Sequence, residues 1–127
     1  MNKINLTDLK LKTFTEQNVI DYCQINNLNT NDITELNLNH NNLTDISGIK
    51  LFKNIKGLYL NNNQIKDISV IKYFKGLEIL NITNLELESD QIQYINFIKK
   101  LEILFCYKGF KDMTVINQLN KNIEIIK

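Results

Sequence analysis

The sequence predicts an α/β solenoid, a chain wound into stacked coils that share one core. Three observations predict it. An apolar pattern returns about every 22 residues, each unit switches from period two to period three, and the opening segment is patterned differently. A fixed period of this size marks a repeat architecture, in which no coil buries its apolar face alone.

Residues 1–32 read as the N-terminal cap, the polar end piece a solenoid needs to close its core. Leu6-x-x-Leu9-x-Leu11-x-x-Phe14 echoes the repeat and predicts a degenerate opening strand. Thr13-x-x-Glu16 fits a capping box, with Thr15 as the alternative cap. Val19, Ile20 and Cys23 then share one helix face, which predicts a helix over roughly 15–26 on the convex side.

The repeats follow over 33–127, about four and a half of them, and the whole of 1–127 reads as a single domain. Starts at Ile33, Ile55, Leu77, Leu101 and Ile123 are separated by 22, 22, 24 and 22 residues. The first unit reads Ile33-x-x-Leu36-x-Leu38-x-x-Asn41-x-Leu43, and the second Ile55-x-x-Leu58-x-Leu60-x-x-Asn63-x-Ile65. The third gives Leu77-x-x-Leu80-x-Ile82, the fourth Leu101-x-x-Leu104-x-Cys106, and the fifth opens Ile123-x-x-Ile126. Alternation places these side chains on one face of a strand, predicting strands near 34–38, 56–60, 78–82 and 102–106.

The second half of each unit steps by three: Ile46, Ile49, Phe52; Ile68, Ile71, Phe74; Ile92, Ile95, Ile98; Met113, Ile116, Leu119. Period three in a short run suits a 3₁₀ return, where positions i and i+3 eclipse. Asp45, Asp67 and Asp112, each two residues before Ser or Thr, suit the starts of these returns, where a carboxylate accepts from nearby backbone N–H groups.

These residues resemble the leucine-rich repeat, specifically its short 22-residue class, found in phosphatase-regulating subunits and in internalins. The resemblance covers residues 33–127 and is most specific in the first two repeats. It implies a right-handed superhelix with parallel strands on the concave face, 3₁₀ or short helical returns on the convex face, and a helical cap. It also implies that Asn41 and Asn63 carry an asparagine ladder. Leu85 and Gly109 stand at or beside the next rungs, so the ladder is expected to stop and the C-terminal half to be irregular.

Composition excludes several functions. The chain holds 15 Lys, 14 acidic residues and no Arg, for a net charge of +1. That balance lacks the footprint of a nucleic-acid binder and the guanidinium fork that most often clamps phosphate. The 21 Asn and 20 Ile reflect an AT-rich genome before they reflect function. No apolar run reaches membrane-spanning length, and the first residues lack an apolar signal core. Cys23 and Cys106 are 83 residues apart and make neither a disulfide framework nor a metal set, so a reducing, cytoplasmic setting is expected. His40, the lone histidine, sits in a loop beside Asn39, Asn41 and Asn42, which are poor general bases, while Asp45 belongs to the turn pattern. No Gly-rich phosphate loop is present, and neither a cofactor nor a metal is expected. The chain is expected not to be an enzyme.

The informative positions lie between the inward residues, on the concave face. The third position of successive units reads Glu35, Gly57, Ile79, Ile103, Ile125; the fifth Asn37, Tyr59, Asn81, Phe105, Lys127; the seventh Asn39, Asn61, Thr83, Tyr107. The N-terminal half is polar and the C-terminal half apolar. An exposed apolar cluster with aromatic anchors marks an interaction site. The expected partner-binding residues are therefore Tyr59, Ile79, Asn81, Ile103, Phe105 and Tyr107, contacting an unidentified protein. Irregular repeat lengths leave open a shifted register that turns these residues inward. Two other functions stand beside this one: weak self-association through the open strand 123–127, and surface adhesion of the internalin kind.

Overall fold

The computed structural model describes residues 2–127. Six short strands form one parallel sheet: β1 (Lys3–Asn5), β2 (Glu35–Asn37), β3 (Gly57–Tyr59), β4 (Ile79–Asn81), β5 (Ile103–Phe105) and β6 (Glu124–Ile126). Their spatial order is their chain order, and every pairing is parallel. Each strand is joined to the next by a return segment on the far side of the core. Helix α1 (Glu16–Ile25) is the first return, and helix α2 (Ile92–Asn96) lies in the fourth. Segments Ser47–Leu51, Ser69–Tyr73 and Met113–Gln118 are 3₁₀ turns, as the period-three spacing predicts. One continuous apolar core runs from Ile4 to Ile123 between sheet and returns.

Alternation sets the register. Leu36, Leu58, Leu80 and Leu104 pair across neighbouring strands and are fully buried, as are Leu38, Leu60, Ile82 and Cys106 two residues on. Phe52 and Phe74 close the inner side of the 3₁₀ returns, both at 0% exposure. The 24-residue third repeat keeps strand register. Its two extra residues fall between Leu87 and Ile92, where the chain makes a 3₁₀ turn at Ser89–Gln91 and enters α2.

The cap differs from expectation in register. The opening strand is Lys3–Asn5, with Ile4 beside Leu36, so Ile4 and Leu6 are the inward pair. Leu9 takes the Asn position of the repeat and is 54% exposed, because the apolar spacing of this segment fits two registers and only one also buries Ile4. Thr15, not Thr13, caps α1. Its hydroxyl accepts from the Asn18 N–H at 3.3 Å, and Asn18 Oδ1 accepts from the Thr15 N–H at 2.9 Å. Val19 and Cys23 are buried against the core, while Ile20 is 40% exposed.

The last strand also differs. Leu104 pairs with Ile125 and Phe105 with Ile126, so the step into β6 is one residue shorter than a count from Ile123 gives. Ile125 therefore faces the core side, and Glu124 and Ile126 take the outer face in place of Ile125 and Lys127. The reason lies upstream. Stepping by three from Leu119 sets the coil, and Ile123, 8% exposed, fits in as an extra buried residue.

The asparagine ladder forms at the two expected rungs. Asn41 Oδ1 accepts from the N–H groups of Leu9 and Leu11, both at 3.0 Å, and its Nδ2 donates to the carbonyls of Leu6 and Leu38. Asn63 Oδ1 accepts from Leu43 N–H at 3.1 Å, and its Nδ2 donates to Leu38 and Leu60. Both amides thus satisfy turn backbone that would otherwise be buried without partners. At Leu85 and Gly109 the backbone does this work itself. Leu85 N–H donates to Ile82 carbonyl at 3.2 Å, and Gly109 N–H to Cys106 carbonyl at 2.8 Å. A Cβ at Gly109 would lie 3.0 Å from that carbonyl oxygen and 3.1 Å from Ile82, so a side chain in this tight turn would press its neighbours back by a few tenths of an ångström.

Candidate functional site: an apolar sheet face

The outer face of the sheet presents the third, fifth and seventh positions of each coil. Ile79 lies beside Ile103, Asn81 beside Phe105, and Phe105 beside Ile126. Ile79, Ile103 and Phe105 are half-buried among one another, Tyr107 is 53% exposed and Ile126 39%. Register in repeats three and four is unshifted, so none of these side chains is turned into the core. Neighbouring strands lie roughly 4.8 Å apart, close enough for their outward side chains to form a continuous apolar surface. Lys108 Nζ lies 5.4 Å from the centre of the Tyr107 ring, fixing one edge of the surface with a cation–π contact.

Tyr59 and Asn81 are placed differently. The Tyr59 ring lies over Gly57, 3.5 Å from where a Cβ there would stand, and leans toward Glu35. Burial, and then the Glu35 carboxylate, raise its hydroxyl above the usual phenol value. Tyr59 thus borders the polar half. Asn81 Oδ1 accepts from Thr83 N–H at 3.0 Å, the same local turn that Asn5 makes with Thr7 and Asn37 with Asn39. Its amide oxygen shapes the turn. Ile126 is the surface residue that sequence reasoning missed; the three-residue steps of the preceding return, carried through Leu119, point to it.

The other candidates have structural places. His40 is exposed, with φ of 56°, at the loop position where Asn62, Asn84 and Lys108 also turn left-handed. Asp45 and Asp67 accept from the N–H groups of Ser47 and Ser69 at 2.8 and 2.7 Å, and Asp112 accepts from Thr114. Cys23 and Cys106 are buried and unpaired, and burial raises both thiols above their usual value. Among the described residues no group of three His, Cys, Asp or Glu is placed to hold a metal ion. No helix among them is long and apolar enough to cross a membrane.

Parallel strands in chain order, 3₁₀ returns and a buried asparagine ladder define a leucine-rich-repeat solenoid fold. The family described as Leucine Rich repeats (2 copies) matches residues 31–73, the two coils with intact ladder rungs. Among solved structures, an internalin (inlF) from Listeria monocytogenes is similar over 76% of this chain at 26% identity, with a TM-score of 0.67. An internalin C2 (inlC2) from the same organism is similar over 99% of the chain at 18% identity, with a TM-score of 0.75. The chain spans 28% and 50% of the length of those two proteins. No curated protein matches it.

Proposed function

We propose that this chain is a non-enzymatic protein-interaction module, one unit over 1–127, that holds a partner protein on its outer sheet face. The carrying observation is the apolar surface of Ile79, Ile103, Phe105, Tyr107 and Ile126, continuous across three strands and covered by no segment of the described chain. A surface of this kind on a soluble protein commonly marks an interaction site. Phe105 and Tyr107 are the anchors, Ile79 and Ile103 the flanks, and Tyr59 and Asn81 the border with the polar half. A reducing, cytoplasmic setting suits the two unpaired thiols.

The test is affinity capture from the native host, followed by binding measurements with the captured protein. Truncating a true hot-spot aromatic commonly costs more than about 2 kcal/mol, so Phe105→Ala should weaken binding roughly thirtyfold. Glu35→Ala and Asn37→Ala, on the polar half, should change it little. Equal affinity for Phe105→Ala, Tyr107→Ala and the wild type would remove the proposal. The melting temperature of Phe105→Ala should stay near that of the wild type, since the ring lies outside the core.

A further inference from the structure

A second surface lies on the edge where the return segments re-enter the strands. Lys53, Lys75, Lys99 and Lys121 each open the same two-residue turn, one per coil, at 53–54, 75–76, 99–100 and 121–122. Coils in this fold stack at roughly 4.8 Å in the hydrogen-bonding direction, so these turns stand side by side. Lys50, Lys56 and Lys72 line grooves along the same edge. Lys50 pairs with Glu16 at 2.7 Å. Among the described residues, the exposed Lys53, Lys56, Lys72, Lys75, Lys99 and Lys121 make no ion pair. Like charges at this spacing repel, and an anionic partner would relieve that repulsion.

The charges converge on concavities. A groove of about 500 Å³ is lined by Lys50, Lys53, Lys56 and Lys75, with Tyr73 as one wall. Beside it, sharing Lys75, lies a second groove of about 230 Å³ lined by Phe74, Ile98 and Phe97 between Lys72 and Lys99. Tyr73 is 50% exposed and Phe97 65%, and Lys72 Nζ lies 5.4 Å from the Tyr73 ring centre. A basic groove adjoining an apolar one fits a side chain of each kind from a single extended segment. We infer that this edge binds an acidic peptide segment of a partner protein, with carboxylates on Lys53, Lys56 and Lys75 and a neighbouring apolar side chain beside Phe97.

Two observations favour a peptide over other polyanions. A bilayer is flat and does not enter the grooves. A long nucleic-acid strand would run on toward Asp45 and Asp67, which line the adjoining groove shared with Lys50, Lys72 and Tyr73, and there it would be repelled. This surface is separate from the apolar sheet face, and neither proposal depends on the other.

The test uses a fluorescein-labelled peptide in which Glu alternates with Phe, titrated with the full chain at physiological salt. Saturable binding is expected. Lys53→Glu with Lys75→Glu should weaken it at least tenfold, while the charge-matched Lys12→Glu with Lys66→Glu, outside this edge, should change it less than twofold. Phe97→Ser should weaken the Glu/Phe peptide but not one in which Glu alternates with Ser. Thermal melts establish that each variant folds. Absence of saturable binding up to millimolar peptide, or equal losses in the two charge-reversed pairs, would overturn the inference. So would tighter binding, through the same lysines, to phosphatidylserine vesicles or to a thymidine oligonucleotide.

Discussion

Asn63 Nδ2 donates to the carbonyl of Leu38, one coil earlier, at 2.9 Å, and the same carbonyl accepts from Asn41 at 3.0 Å. One buried oxygen thus ties two rungs together. Asn63→Ala would leave the Leu43 N–H and the Leu60 carbonyl without their partner. The expected loss is about 1–3 kcal/mol, the cost of unsatisfied buried polar groups. Urea unfolding measures it, and an unchanged midpoint would show that the rung does not stabilise the fold.

Gly48 and Gly76 should respond oppositely to the same change. A Cβ on Gly48 would stand 2.2 Å from the Thr15 carbonyl carbon and oxygen and 2.6 Å from the Glu16 nitrogen. All three are backbone atoms at the start of α1, so Gly48→Ala must push the cap helix away. Overpacking typically costs about 1–3 kcal/mol, and rigid backbone on both sides puts this site at the upper end or beyond. Nothing lies within 4 Å of a Cβ on Gly76, where φ is not positive. There Gly76→Ala should stabilise by about 0.4–1 kcal/mol through the unfolded chain. Paired melting curves decide the matter, and equal shifts would contradict the packing argument.

Hydrogen bonds from Ser47 hold the Asp45 carboxyl below the ordinary 3.8. Because the folded value is the lower one, the stabilisation is complete above the unfolded value and is lost as pH falls through the folded one. Stability should therefore decline below about pH 4, partly through this residue. Asn at this position still offers an acceptor oxygen to the Ser47 N–H. Asp45→Asn, which loses the charge that strengthens those bonds, should accordingly lower stability slightly at pH 7, match the wild type near pH 3, and so flatten the acid limb. Urea midpoints at pH 7 and pH 3 that fall equally in both proteins would exclude the residue from that limb.

Both thiols should be inert until the chain opens. Cys106 is 0% exposed within the sheet and Cys23 6% exposed on α1, and burial raises each thiol. Only the thiolate attacks an aromatic disulfide reagent. Native protein at pH 8 should label slowly at both sites, and at Cys23 first because it lies in the cap. Rapid labelling of Cys106 under native conditions would place it outside the core.

Much of this was legible because side-chain period follows backbone geometry so closely here. Leu58 and Leu60 announce a strand, and Ile68, Ile71 and Phe74 a 3₁₀ return, with no tertiary information required. The ladder's end at Leu85 was legible too, since a leucine side chain has no amide to donate to a carbonyl. What replaced it was hidden: a backbone N–H closing the turn leaves no residue signature. Register failed at both ends, at Ile4 and at Ile125, where apolar residues occur at more than one workable spacing and a single neighbouring strand decides between them. At the candidate site, Ile103 and Phe105 followed from alternation alone. The turn made by Asn81 and the lean of Tyr59 over Gly57 depend on contacts that spacing does not encode.

The two extra residues of the third repeat enter between Leu87 and Ile92 and leave every strand pairing in place. The chain can therefore lengthen on its return side at little consequence to the surface it displays. A single residue gained inside β4 or β5 would exchange the displayed and hidden side chains of that strand. Insertions and deletions in related chains should accordingly be frequent in the returns and rare in the strands, so that these proteins diversify by substitution on one side and by length on the other.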